Sequence, residues 1–382
     1  MIFTAFVFFS ISVMPWVFLV TLGATGSLLR HSSFVEKFQC ETPSEVGCSV
    51  ILPVHNTPLR VFERKIQGLV TELTGLDGAE IIIVFDGCAE DLVRGYSEVL
   101  NKIQLSSNVA LSAIPSGRVG KSGAQNLGAS LSTKTWLFLN DCDTEIPLGV
   151  LRDCLIANWS QEVGIVSGAM DFGSSEHVGR VFGVYSYWAF ENALRSLLTR
   201  YGLLLTSAGP GMLVRRSLWP KSGLALNYGD DCALPLISAK LGYRVLHNAH
   251  FLIRDQPYAT PEREYAARVR MAERNLAASF GEAFPWILRH PLLLGSLLLH
   301  RILRWLSPAL LVIGCFFWVS ASLINADLDL LTNLQQVAGL VFVGIMFLFL
   351  SKRSRLLGPI TYMAATLHGS FRALFGRVRK EY

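Results

Sequence analysis

Two carboxylates one residue apart, Asp141 and Asp143, end the short apolar run Trp136-Leu-Phe-Leu-Asn140. On extended or tightly turned backbone that spacing lets both converge on one hard cation, which prefers oxygen ligands. The plain counterpart is an acidic turn after a strand, and the pair alone does not separate the two. A second pair, Asp230 and Asp231, follows Gly229 and opens the amphipathic run 232–242. Acids at such a place cap a helix and complement its dipole. Two pairs in one domain also supply what sugar transfer needs, one set binding a metal and one deprotonating an acceptor hydroxyl.

Further polar groups fall where strands should end. Leu52-Pro53-Val-His55-Asn56 and Phe85-Asp86-Gly-Cys88 put Asn56 and Asp86 at such ends, where open α/β sheets place their ligand crevice. Asp86 could accept a hydrogen bond from a nucleobase edge, or be an ordinary Asp-Gly turn. Residues 118–128, which include Lys121 and Asn126, open a helix with glycines and one lysine, suited to close approach by a phosphate. The Walker A spacing is absent. Arg270 and Arg274, four apart on a helical segment, share a face that could clamp a diphosphate or rest on lipid headgroups. Thr206 to Arg216 reads as a glycine-rich turn into a strand beside an acceptor pocket, and His250 as a structural histidine rather than a third metal ligand.

The elements that must carry these groups alternate between β-rich and amphipathic runs, the pattern of a mainly parallel sheet covered by helices. Strands are expected at 49–54, 80–85, 109–114, 135–139 and 163–170. Helices are expected at 59–73, 121–132, 231–241 and 262–280.

Composition sets the surroundings. The 382 residues are 51% hydrophobic and 16% charged, too apolar for an ordinary soluble protein. The net charge of +5 is spread beside apolar stretches rather than gathered in one tract, which argues against a nucleic-acid partner and for anionic lipid. The seven cysteines form no Cys-x-x-Cys pair and read as reduced. Residues 1–30 are expected to be a transmembrane anchor, 48–283 a cytoplasmic α/β domain, and 284–304 a helix in the membrane interface. Residues 305–382 are expected to hold two crossings and a basic tail, with 356–371 as an interfacial helix or a further crossing. The topology implied is multi-pass, with the α/β domain cytoplasmic.

In this order the motifs resemble the family-2 glycosyltransferases of GT-A fold, a Rossmann-like, mainly parallel sheet with helices on both faces. The likeness is to the membrane-bound hyaluronan, chitin and cellulose synthase group and its bacterial exopolysaccharide relatives. The resemblance implies that Pro53 and Asn56 lie at the nucleotide and that Asp86 binds uracil. It also implies that Lys121 and Asn126 lie beside the diphosphate, that Asp141 and Asp143 hold Mg2+ or Mn2+, and that Asp231, next to Asp230, is the catalytic base. Arg270 and Arg274 would hold the diphosphate. Aligning the Arg of the synthases' Gln-x-x-Arg-Trp with Arg274 leaves Met271 and Asn275 in the Gln and Trp positions. The implied activity is inverting transfer from a nucleotide-diphospho-sugar, UDP-linked by resemblance, to a lipid-linked or glycan acceptor, with partner subunits of a polysaccharide assembly system. Two alternatives remain open at this point: a processive synthase that extrudes its own polymer, and a non-catalytic membrane scaffold that kept the fold.

Overall fold

A computed structural model describes residues 4, 6–11, 13, 17, 47–74, 76, 78–157, 161–172, 178–255, 260–324 and 357–375. The N-terminal anchor, apart from those positions, and the second C-terminal crossing at 330–350 lie outside the described residues.

Three strands without an exposed residue lie side by side in the sheet. β1 (Cys48–Val54), β2 (Ala79–Asp86) and β4 (Trp136–Asn140) are buried on both faces, as expected of strands covered by helices on each side. β3 (Val109–Ser116) has the exposed pattern of an edge and lies outermost beside β2. The remaining strands are β5 (Val163–Asp171), β6 (Gly211–Arg215) and β7 (Arg244–Arg254). The seven run in the order β3-β2-β1-β4-β6-β5-β7. The first four are mutually parallel, β6 is antiparallel to β4 and β5, and β7 is parallel to β5. The sheet is therefore mixed. Its order reverses between β1 and β4, so the crevice of an open α/β sheet falls at their C-terminal ends.

Alternation along β4 divides the core. Trp136 and Phe138 join the cluster that holds Phe62, Phe85, Tyr96 and Phe251, while Leu137 and Leu139 join the one with Leu194, Met212, Leu234 and Leu276. The helices α1 (Leu59–Leu73), α2 (Glu90–Lys102), α3 (Gly120–Leu131), α4 (Val150–Ile156), α5 (Val178–Arg200), α6 (Asp230–Lys240) and α7 (Pro261–Ser279) complete the domain. α1 buries Phe62, Ile66, Leu69, Val70 and Leu73, the helical spacing that predicted it. β6 enters through Gly211, where a Cβ would stand 2.2 Å from Ile253, so only glycine fits against β7.

The C-terminal part departs from the expectation. α8 (Phe284–Ile287) and α9 (Pro291–Leu297) lead through a π-helical turn, Leu298–Ile302, into α10 (Leu303–Ile324). Among the described residues one helical run, Pro291–Trp318, is long and apolar enough to cross a membrane. His300, Arg301 and Arg304, which fall in the stretch expected as an interfacial helix, are buried in the protein. The reason is charge: Glu191 and Asp231 face them from the α/β domain. Phe8 stacks on Phe317 of α10 at 5.7 Å between ring centroids, which ties part of the N-terminal segment to this helix.

The last described helix, α11 (Leu357–Leu374), packs along α7. A Cβ on Gly369 would come within 2.4 Å of the Val269 carbonyl, so the two backbones touch there. Arg372 Nε pairs with Glu273 at 3.3 Å, and Ser370 Oγ donates to the Trp305 carbonyl at 2.9 Å.

Candidate functional site

The turn after β4 carries Asp141 and Asp143 and is held from below. Lys65 of α1, a buried ammonium, donates to the Thr144 carbonyl at 2.5 Å. Thr144 Oγ1 donates to the Asp141 carbonyl at 3.0 Å, and Asn140 Nδ2 reaches both Thr144 Oγ1 and the Pro210 carbonyl. Burial pulls Lys65 down to about 8 against the pull of the nearby carboxylates. Asp143 moves the other way: desolvation raises its pKa, and the like charge of Asp141 adds to that.

α3 brings Lys121 across the crevice. Its Nζ lies 2.7 Å from Asp141 Oδ1 and 3.5 Å from Asp230 Oδ2. Gln125, one turn later and fully buried, donates to the same Asp230 oxygen at 2.7 Å. One helix thus joins the first acidic pair to the second, 89 positions apart (230 − 141). Gly209 borders this cluster, since a Cβ there would stand 3.6 Å from Asp230 Oδ1 and 3.8 Å from Lys121 Nζ. The glycine-rich turn read at 206–216 therefore lies against the site.

Asp231, at the second position of α6, pairs with the C-terminal helices. Its Oδ2 lies 3.2 Å from Arg301 Nη2, which also contacts Thr206 Oγ1. Burial raises the Asp231 pKa; Arg301 opposes the shift and Asp230 adds to it.

Several residues expected at a nucleotide carry structural bonds. Asp86 Oδ1 accepts from the Val119 and Gly120 amides at 2.6 and 3.1 Å, and Arg118 pairs with Oδ2 at 2.5 Å. The Asp86 carboxylate is thereby the cap of α3, with the helix dipole favouring a negative charge there. Asn56 sits in the left-handed region at φ 46° and its Oδ1 accepts from the Ala89 amide that precedes α2. His55 Nδ1 donates to the Asp86 carbonyl at 2.7 Å. Pro53 lies within β1, paired with Val84.

Asn126 clamps Leu224, donating to its carbonyl at 2.9 Å and accepting from its amide at 2.7 Å. It fixes the loop that leads to Gly229 rather than presenting its amide to the crevice. Arg274 and Arg270 lie on α7; Arg274 is nearly buried, and its carbonyl accepts from the Gly229 amide at 3.4 Å.

Sequence reasoning passed over Gln125 and Arg301. The signal for the second was present: Arg301-Ile-Leu-Arg304-Trp305 carries the Arg-Trp pair at the spacing sought around Arg274. Assigning 284–304 to the membrane interface hid it.

Asp141 and Asp143 offer a hard, oxygen-only donor pair where a cation, Lys121, is already drawn in, so the residues fit a divalent ion. Among the described residues no group of three or more His, Cys, Asp or Glu gathers to hold a metal. His250 accordingly joins no such cluster; its amide donates to Asn248 Oδ1 within the irregular part of β7.

A mixed sheet with acids at the C-terminal end of β4, at its point of reversal, defines the GT-A class of fold. Residues 49–219 match the model described as Glycosyl transferase family 2. In solved structures the fold recurs in the mannosyltransferase PcManGT from Pyrobaculum calidifontis, solved with GDP-Man and Mn2+, at a TM-score of 0.64 and 16% identity over 97% of this chain and 99% of that one. S. aureus TarS 1-349, solved with UDP-GlcNAc, aligns at a TM-score of 0.38 and 14% identity over 69% of this chain and 83% of that one. Comparison with curated protein sequences gives no match.

Proposed function

We propose that this chain is an inverting, membrane-tethered glycosyltransferase that moves a sugar from a nucleotide-diphospho-sugar to a lipid-linked or glycan acceptor. The observation that carries the reading is Lys121 Nζ between Asp141 and Asp230, which gathers the expected phosphate-binding, metal-binding and catalytic segments into one crevice. The family match over residues 49–219 supports the reaction class.

Asp141 and Asp143 would hold Mg2+ or Mn2+, which when bound neutralises charge on the departing diphosphate. Lys121 adds a second positive charge beside it. Asp231 takes the proton from the acceptor hydroxyl, and its raised pKa makes it a stronger base than an exposed carboxylate. Arg301 holds that carboxylate in one orientation while limiting how far its pKa rises. Gln125 and Lys121 together fix the Asp230 carboxylate beside the crevice.

The helical run Pro291–Trp318 supports a location beside a bilayer. On this reading 48–283 is the catalytic domain, and 284–304 is the strap that joins it to the membrane rather than an independent interfacial helix. Residues 1–30 and 305–382 are the remaining membrane parts, with the domain on the cytoplasmic face of the inner membrane. A site at the head of a membrane helix favours an acceptor presented by lipid or by a growing glycan, in company with other polysaccharide-assembly proteins.

Asp86 bonds to two amides and to Arg118, an arrangement that does not favour reading of the base by this carboxylate. UDP- and GDP-linked sugars therefore both belong in the test. Purified full-length protein is screened for thermal stabilisation and for donor turnover with each class, with and without Mn2+. Metal-dependent stabilisation by one class supports the reading; no stabilisation and no donor cleavage by any nucleotide sugar supports a non-catalytic scaffold.

A further inference from the structure

Glu191 lies on α5, away from the crevice, and no step above uses it. Its residue is 1% exposed, yet three basic side chains from three elements close on its carboxylate. Arg195 Nε, on its own helix, stands at 3.0 Å; His300 Nε2 and Arg304 Nη1 reach it from the C-terminal helices at 3.0 and 2.9 Å. Burial by itself would raise its pKa, but Arg304, His300 and Arg195 hold it well below the usual carboxylate range. Arg304 is held a second time by the Tyr187 hydroxyl at 2.8 Å.

Two of these partners bracket Arg301 in sequence, and the π turn Leu298–Ile302 lies among them. A π turn is a rare helical geometry, and single turns of it recur at functional sites. Arg301 sits within this one and reaches Asp231 and Thr206. A continuous path of contacts thus runs from Glu191 through His300 and Arg304 to the residue that faces the proposed base.

We infer that Glu191 is a positioning residue: it anchors the π turn of the apolar helix and thereby sets Arg301 against Asp231. The inference rests on the reading of Asp231 as the base. The charged groups that face Asp231 are Arg301 on the π turn, Asp230 on α6, Arg195 on α5 and Lys121 on α3. Removing the Glu191 charge without moving anything would leave these cations less compensated and make Asp231 easier to ionise. Releasing Arg301 would do the opposite, because an opposite charge at this range lowers a carboxylate pKa by roughly one unit or more. The two effects differ in sign.

The test uses full-length Glu191→Gln, which keeps the size and one oxygen acceptor of the side chain. Hydrogen exchange is followed across residues 298–306, and the acid limb of kcat is measured in wild type, Glu191→Gln, Arg301→Gln and the double variant. Anchoring predicts faster exchange at 298–306, lower kcat at nearly unchanged donor KM, and an acid limb about one pH unit higher. The double variant then has the limb of Arg301→Gln alone, as expected of residues acting in series. Unchanged exchange at 298–306, a limb that stays or moves down, or additive shifts in the double variant overturn the proposal. If the wild type transfers from no donor, the functional reading has failed, and the exchange measurement still decides whether Glu191 anchors the turn. If Glu191→Gln does not fold, Tyr187→Phe removes one hydrogen bond from Arg304 and should give both shifts at smaller size; neither shift appearing overturns the proposal.

Discussion

Arg301 Nη2 lies 3.2 Å from Asp231 Oδ2 although the two residues are 70 positions apart. The pair joins the start of α6 to a helix long and apolar enough to cross a membrane. Its chemical consequence is a carboxylate partly withdrawn from water but tied to a fixed cation. Such a group is more basic than one in bulk solvent. On the proposed reading, an acceptor delivered from the bilayer would meet Asp231 beside this helix.

The first expectation concerns the base itself. Asp231→Asn should lower transfer by about 10²- to 10⁴-fold, the range for loss of a positioned general base. Donor-dependent thermal stabilisation should persist, since Asp141, Asp143 and Lys121 are untouched. Wild-type turnover in this variant would remove Asp231 from the role.

The pH profile follows from the same residue. A base works only when deprotonated, and burial raises the Asp231 pKa above its ordinary value of 3.8. The rate should therefore fall as pH drops through a point above that of a free aspartate. In Arg301→Gln the opposing cation is gone, so the fall should begin at higher pH. A profile identical to wild type would show that Arg301 does not act on the titrating group.

Metal dependence should reside in the turn after β4. Asp143→Ala is expected to abolish the Mn2+-dependent part of nucleotide-sugar stabilisation while leaving the melting temperature of the free protein close to wild type, because Lys65, Thr144 and Asn140 hold the turn. Treating wild-type protein with a chelator should reproduce the loss and added metal should reverse it. Retained metal-dependent binding in Asp143→Ala would place the ion elsewhere.

Asn126 offers a test between two readings of one residue. As a clamp on Leu224, its change to Ala removes two hydrogen bonds and should cost about 1–3 kcal/mol of stability. Denaturant melts would detect this without any ligand. Unchanged stability combined with selective loss of donor binding would instead favour the contact with donor sugar that the resemblance implied.

Gly369→Val probes the docking of α11. The new Cβ would meet the Val269 carbonyl at 2.4 Å and the Ala272 Cβ at 2.7 Å, and forced separation of packed helices typically costs about 1–3 kcal/mol. Limited proteolysis should cut near α11 in the variant under conditions where wild type resists. Equal resistance would mean that the two helices are not held by this contact.

Much of the framework was legible in the residues. Runs such as Cys48–Val54 and Trp136–Asn140 are short and mostly apolar, and they became central strands because local pattern and burial agree. The apolar spacing of Phe62, Ile66, Leu69 and Leu73 likewise gave α1 its ends. α5 was not legible: its apolar and polar residues follow no clear helical stripe, and neighbours on several sides bury its second half.

For the site, sequence alone determined which acids stand at strand and helix ends, since those ends are set by local pattern. It did not determine which polar side chains meet. Asn126 and Gln125 are adjacent on α3, yet one clamps a backbone loop and the other orients Asp230. Arg301 and Arg304 look like a lipid-facing basic cluster until Glu191 and Asp231 are placed opposite them. A buried charge is stable only with partners that satisfy it, and these partners come from elements about 70 to 113 positions away. Only closure of the whole fold decides that choice.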